Sequence, residues 1–263
     1  MCIRDSHEAD DHFHVGRHAV MANLRVDVLT IFPDLFKGFL ETSLLGKAQE
    51  GGLVAITIHD LRKWASSPHF QTDDYAYGGG PGMVMCAEPV ISAVEEVREE
   101  DGWVVLLTPH GIPMTQGRAT ELATRSHIVL ICGRYEGVDD RVRKLVVDEE
   151  ISVGDYVVSG GEVPAMIVVD AVTRLVPGVV GQPASVEGES HAAGLLSHPQ
   201  YTRPEVVRGE RVPAVLLGGN HAEIERWRHV QSLHRTMQNR PDLLSTEQLN
   251  GAEKDQMSDI PSV

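Results

Sequence analysis

Trp103-Val104-Val105-Leu106-Leu107-Thr108-Pro109-His110-Gly111 is an apolar run that breaks at a turn. The pattern returns in Ile128-Val129-Leu130-Ile131-Cys132, followed by Gly133-Arg134-Tyr135-Glu136-Gly137. Around Val157-Val158 it returns a third time, flanked by Gly154 and by Ser159-Gly160-Gly161. Helical spacing fills the intervals: 88–99, 116–123, 138–145 and the largely apolar 162–175. Strands of four to seven residues alternating with helices predict an α/β fold with a largely parallel sheet. Such sheets receive ligands in the loops beyond the strand C-termini. The clusters at 108–111, 133–137 and 154–161 therefore predict one composite cleft.

Working outward, 26–32 predicts a buried strand stopped by Pro33, 35–45 an amphipathic helix and 53–58 a second strand. Residues 60–82 show no period and end in Tyr77-Gly78-Gly79-Gly80-Pro81-Gly82-Met83. Between 178 and 198, Gly, Pro, Ser, Glu and His dominate and periodicity disappears, as in an interdomain linker. Beyond it, 223–237 predicts a helix with Ile224, Trp227, Val230, Leu233 and Met237 on one side and Asn220 ahead of it as a cap. The expected organisation is a loose, His-rich leader over 1–20, a main domain over 21–180 and a linker over 181–193. A small all-helical domain over 194–250 and a frayed tail over 251–263 complete it. A His-rich tract also suits metal binding.

The 263 residues carry 23 Lys+Arg against 38 Asp+Glu, a formal charge of −15, and 42% are hydrophobic. That supports a sizeable core and excludes a disordered or collagen-like chain. Taken whole, the charge argues against a polyanion partner and for an acidic enzyme with small substrates. Resolved along the chain it is divided. Residues 201–240 hold seven Arg (203, 208, 211, 226, 228, 235, 240) against four Glu, with no Lys or Asp. Arginine forks suit phosphate, although a solvated helix face with interdomain ion pairs would also use them. Cys2, Cys86 and Cys132 form no CxxC pair, so a reducing cytosol fits better than a disulfide scaffold. No apolar stretch approaches the length of a membrane span.

The glycine clusters match no common fingerprint. Tyr77–Met83 has no Gly-Lys-Ser/Thr and is not a P-loop; it reads equally as a flexible turn. Arg134 and Glu136 suit ligand contacts or a structural ion pair. Gly160 and Gly161 precede a helix start, where unpaired amides meet polar ligands. Zinc-ligand spacing, a nucleophile elbow and a HExxH helix are all absent from the sequence.

In combination, these segments resemble the bacterial tRNA (guanine-N1-)-methyltransferase family. The resemblance runs from about Arg25 to Leu244 and is carried by 77–83, 107–111, 131–139, 151–166, Arg174-Leu175-Val176-Pro177-Gly178, Tyr201-Thr202-Arg203-Pro204, 216–221 and Trp227-Arg228. It implies the deep-trefoil-knot SPOUT fold in the main domain, which periodicity cannot predict and topology rules disfavour. It further implies S-adenosyl-L-methionine held by Leu107, Thr108, Pro109, Gly111, Gly133, Val153, Gly154, Tyr156, Val158, Gly160, Gly161 and Pro164. The implied substrate is tRNA, methylated on the guanine immediately 3′ of the anticodon (G37). The implied assembly is a homodimer with each active site at the subunit interface.

Such a reaction needs a carboxylate to take the guanine N1 proton and a cation to stabilise charge on O6. The matching positions are Glu189 and Arg174. Arg174 would alternatively anchor the nearby Asp170. The methyl group already sits on a positively charged sulfur, so no metal ligand set is expected, and the role left to Mg2+ is to assist RNA binding or the site. Three positions depart from the family pattern: Glu189 stands for Asp, Ser197 for Asp and Leu106 for Tyr. Besides this reading, the residues leave open another SPOUT RNA methyltransferase with a different target nucleotide, a catalytically weak tRNA-binding dimer, and an acidic α/β protein with an unrelated ligand.

Overall fold

A computed structural model describes residues 23–66, 68–181, 189–192 and 194–245. The expected leader over 1–20, the tail over 251–263 and most of the linker lie outside the described residues. Five parallel strands form the central sheet in the order β2-β1-β6-β5-β7. They are β1 (Leu24–Thr30), β2 (Val54–Asp60), β5 (Trp103–Pro113), β6 (His127–Cys132) and β7 (Glu149–Ser152).

The sheet is parallel because each connection crosses over through helix. These helices are α1 (Lys37–Leu40), α2 (Ser43–Glu50), α3 (Ala87–Val97), α4 (Gln116–Ala123) and α5 (Asp140–Val146), and α6 (Glu162–Thr173) follows the last strand. Both faces of the sheet are covered. One core joins Val26, Val28, Leu130 and Ile151 to Leu45, Leu122, Val168 and Val172. The other joins Leu29, Val104, Val129 and Ile131 to Val90, Val94 and Val142. Every residue of β6 is buried. A central strand of this kind must be apolar on both faces, and each buried Val, Leu or Ile contributes about 1.5–3 kcal/mol.

Several expected boundaries change. The helix expected over 35–45 is interrupted: a 3₁₀ turn (Pro33–Phe36) leads into α1, and α2 starts anew at Ser43, whose φ is 55°. The strand expected to stop at Leu107 continues to Pro113. It does so through an irregularity between Leu107 and Ile112 that resets its register against β7. Val157-Val158 is not a strand; both side chains are exposed on a loop. The strand ahead of that loop is β7, whose two glutamates disguise it in sequence. Glu149 is accommodated because Trp103 Nε1 donates to it at 3.0 Å and Arg118 forms an ion pair with it. The aperiodic 60–82 region contains β3 (Asp73–Tyr75), which pairs antiparallel with β4 (Met83–Met85) across the triple-glycine loop.

The C-terminal residues are not all helical. Beside α7 (Ala214–Leu217) and α8 (His221–Asn239) they form a two-stranded ribbon, β8 (Val206–Val207) with β9 (Glu210–Arg211). The glycine at 209, with φ of 93°, permits the tight return. Asn220 caps α8 as expected, its side chain accepting from the Glu223 amide.

Candidate active site

The irregular second half of β5 and the loops after β6 and β7 converge, and backbone-on-backbone packing holds them together. A side chain at Gly111 would strike the backbone of Glu150 and Ile151. At Gly161 a Cβ would lie 2.6 Å from Cys132 Cα and 2.8 Å from Gly133 N. Gly161 N donates to Gly133 O at 2.8 Å, Met114 N donates to Ser152 O at 2.7 Å, and Arg134 bridges antiparallel to Gly160. Glycine is required here because the chains approach more closely than a Cβ allows.

The predicted residues of this end are thus brought together on the second half of β5, the loops after β6 and β7, and the first turn of α6. Leu107 and Pro164 are buried, Gly111, Gly133, Val153, Gly154 and Gly160 are half-buried, and Pro109, Tyr156 and Val158 are exposed. Thr108, half-buried, accepts from the His110 amide at 3.3 Å and fixes the turn. The loops offer backbone amides and carbonyls together with apolar walls.

Arg134 resolves the choice left open by its sequence. Its partner is not Glu136 but the buried Glu162, to which its Nε donates at 2.8 Å. Nη1 donates to Ser159 O at 3.0 Å, and the guanidinium lies 4.6 Å from the Phe32 ring centroid. Glu162 also accepts from Thr30 Oγ1 at 2.8 Å. Arg134 therefore clamps the loop after β6 to the loop after β7 and to the start of α6. The sequence signal for this was the acid directly after Gly160-Gly161, in the first helical turn. Cys132, enclosed in the same region, has its thiol pushed well up by burial and is not a nucleophile.

Arg174, the C-cap of α6, and Glu189 meet through a bidentate pair, Nη1 to Oε2 and Nη2 to Oε1, both at 2.6 Å. The Arg174 guanidinium holds the Glu189 carboxyl below its usual range, with a smaller opposing effect of burial. Asp170 is a weaker electrostatic neighbour of Arg174. Ser190, next to Glu189, hydrogen-bonds Ser197 at 3.0 Å, and Arg235 Nη1 donates to Ser197 O at 3.1 Å. Ser197 therefore ties the Glu189 turn to α8. Leu106 lies buried in the second core, packed with Val104 and Ile131.

The loop cluster and the Arg174–Glu189 pair are not brought together within one chain. α6 begins at the loops and ends at Arg174, about 18 Å away at 1.5 Å per residue. Beyond Arg174, a Cβ at Gly178 would meet the side chain of Leu53, the residue before β2, at the opposite edge of the sheet. Among the described residues no group of three or more His, Cys, Asp or Glu is arranged to hold a metal ion, and no helix is long and apolar enough to cross a membrane.

Comparison with known proteins places the chain. The family profile described as tRNA (guanine-1)-methyltransferase TrmD matches residues 24–246. A tRNA (guanine-N(1)-)-methyltransferase of Moorella thermoacetica is 51% identical over 241 residues, covering 90% of this chain and 96% of the relative. The protein of that name from Dictyoglomus turgidum is 50% identical, with the same coverage. The one from Chloroflexus aggregans is 53% identical over 84% of this chain and 88% of its own length. With its parallel sheet, its three glycine-rich segments and these matches over most of its length, the chain belongs to the tRNA (guanine-1)-methyltransferase family.

Proposed function

We propose that the chain transfers a methyl group from S-adenosyl-L-methionine to N1 of the guanine immediately 3′ of the anticodon in tRNA. The bidentate Arg174–Glu189 pair carries this reading, because it supplies both groups that guanine N1 chemistry needs. Glu189, held ionised, accepts the N1 proton. Arg174 then stands free to stabilise the negative charge that moves toward O6.

The 107–113 stretch of β5 and the loops at 133–138 and 153–161 suit the methyl donor. Their glycines leave backbone amides and carbonyls open to the adenine and amino-acid ends, and Leu107, Val153, Tyr156, Val158 and Pro164 supply apolar walls. When bound, S-adenosyl-L-methionine supplies an electrophilic methyl group. The close crossings at Gly111 and Gly161 support a main domain threaded as the family's trefoil knot.

The working unit is a homodimer, in which Arg174 and Glu189 of one copy complete the loops of the other. Two observations support it. The two halves of the site lie at opposite ends of α6. An exposed apolar face formed by Leu35, Val163 and Ile167 remains on one protomer.

The test is a methyl-transfer assay on unmodified tRNA transcripts carrying G or another base at the third anticodon position, with the methylated base located afterwards. Transfer to N1 of the following guanine is expected. Transfer to a different nucleotide, or none, overturns the proposal.

A further inference from the structure

Residues between 198 and 228 line a half-open cavity of about 610 Å3, within the range of about 300–1,000 Å3 usual for small-ligand sites. It shares no residue with the three converging segments or with the Arg174–Glu189 pair. One wall is aromatic. The Trp227 indole stands 6.4 Å from the Tyr201 ring at 51° and 6.5 Å from the His198 ring at 59°. Neither ring covers the indole in parallel, so the three form an angled wall rather than a closed stack. Tyr201 and Leu217 are about half exposed although large and apolar.

The charged groups of the cavity are unevenly satisfied. Glu205, the only acid among the described lining residues, is neutralised by Arg211 at 2.7 Å. Arg203 has no hydrogen-bond or ion-pair partner among the described residues. Arg228 spends Nη1 on Glu225 at 2.6 Å, while its shielded Nε has no acceptor. An aromatic wall, an apolar floor and uncommitted guanidinium donors match a planar ring bearing acceptor atoms on a polyanionic backbone. The arginine excess of residues 201–240, in a chain of net charge −15, supplies the complementary charge. An apolar peptide would leave these donors unused.

We propose that this cavity captures one unstacked base of the tRNA, distinct from the guanine that is methylated. The proposal rests on the tRNA reading above and adds a second base-binding site to it. The captured base stacks on the Trp227–Tyr201 wall, and Arg203 and Arg228 hold its polar edge or adjoining phosphate.

The test measures binding of tRNA transcripts with a single abasic substitution at each anticodon-loop position other than the target guanine. Each transcript is titrated against the wild-type protein, Tyr201→Leu and Arg203→Gln. Loss of one base–aromatic stack weakens affinity about 5- to 150-fold. One abasic position should show such a loss with the wild type and less than about twofold further loss with Tyr201→Leu, and Arg203→Gln should weaken binding of intact tRNA. S-adenosyl-L-methionine affinity should be unchanged in both variants, which verifies the fold of the main domain. If no abasic position couples to Tyr201, or if both variants bind intact tRNA like the wild type, the base-capture site is refuted. Methyl transfer by the wild type separates the two readings. Transfer without coupling overturns only the second base site, and coupling without transfer overturns only the enzymatic reading.

Discussion

Arg174 grips both carboxylate oxygens of Glu189 at 2.6 Å, so in one protomer the proposed base and the proposed charge stabiliser neutralise each other. The pair is only partly covered, with side chains 30% and 38% exposed. An ion pair at this exposure contributes little to stability and can open to admit a substrate. Its value lies in orientation: each group arrives already aimed at its neighbour's position.

Glu189→Gln removes the proton acceptor but keeps the shape. Turnover should fall about 10²- to 10⁴-fold, while S-adenosyl-L-methionine binding, measured by calorimetry, stays within about twofold. Near-normal turnover would remove Glu189 from its role. Glu189→Asp, which restores the residue expected for the family, should retain turnover.

The pH behaviour follows from the same pair. Arg174 lowers the Glu189 pKa from its ordinary value of 4.5, so the carboxylate persists to lower pH than a free glutamate. Arg174→Gln removes both hydrogen bonds, and the Glu189 titration, followed by carboxyl 13C NMR, should move upward toward 4.5. A downward or absent shift would contradict the pairing.

A buried network at the other end of the sheet governs acid stability. Asp27 in β1 is fully buried and accepts from His59 Nε2 at 2.5 Å and His127 Nε2 at 2.8 Å, and pairs with Arg25 Nε at 2.7 Å. Burial pushes the Asp27 carboxyl up, but the hydrogen bonds from His127, His59 and Arg25 together outweigh it and hold the carboxyl far below the usual range. A group with a depressed folded pKa gives stability that is complete above its unfolded value, 3.8, and is lost as pH falls through the folded one. Asp27→Ala should cost about 3–5 kcal/mol near neutrality, because it strands buried donors. In urea melts the gap between wild type and variant should be flat above about pH 5 and shrink below about pH 4. A gap that widens on acidification would refute this.

Glycine substitutions distinguish the loop crossings from ordinary flexibility. Gly161→Ala places a Cβ 2.6 Å from Cys132 Cα and, because backbone must move, should cost about 1–3 kcal/mol and weaken S-adenosyl-L-methionine binding. At Gly38, in α1, a Cβ meets nothing within 4 Å. Gly38→Ala should be neutral or stabilise by up to about 1 kcal/mol. Equal effects at the two positions in thermal melts would remove the argument from close approach.

Local chemistry alone was enough for several elements. The helix 116–123 follows residue for residue from its apolar spacing, and Thr115 caps it by accepting from the Arg118 amide. The fully apolar 128–132 is buried throughout as part of β6, as expected of a strand bounded by turn residues. Long-range geometry decided the rest. β7 reads Glu-Glu-Ile-Ser and stays hidden until Arg118 and Trp103 meet Glu149. Arg134 could face a ligand or an acid until Glu162, 28 positions on, folded against it. Asp27 is a carboxylate inside the strand expected to be buried, and its partners His59 and His127 lie 32 and 100 positions away. Side-chain periodicity reports which face of one element is buried. It carries no information about which distant charge arrives to neutralise another, because that partner is delivered by the order of the strands.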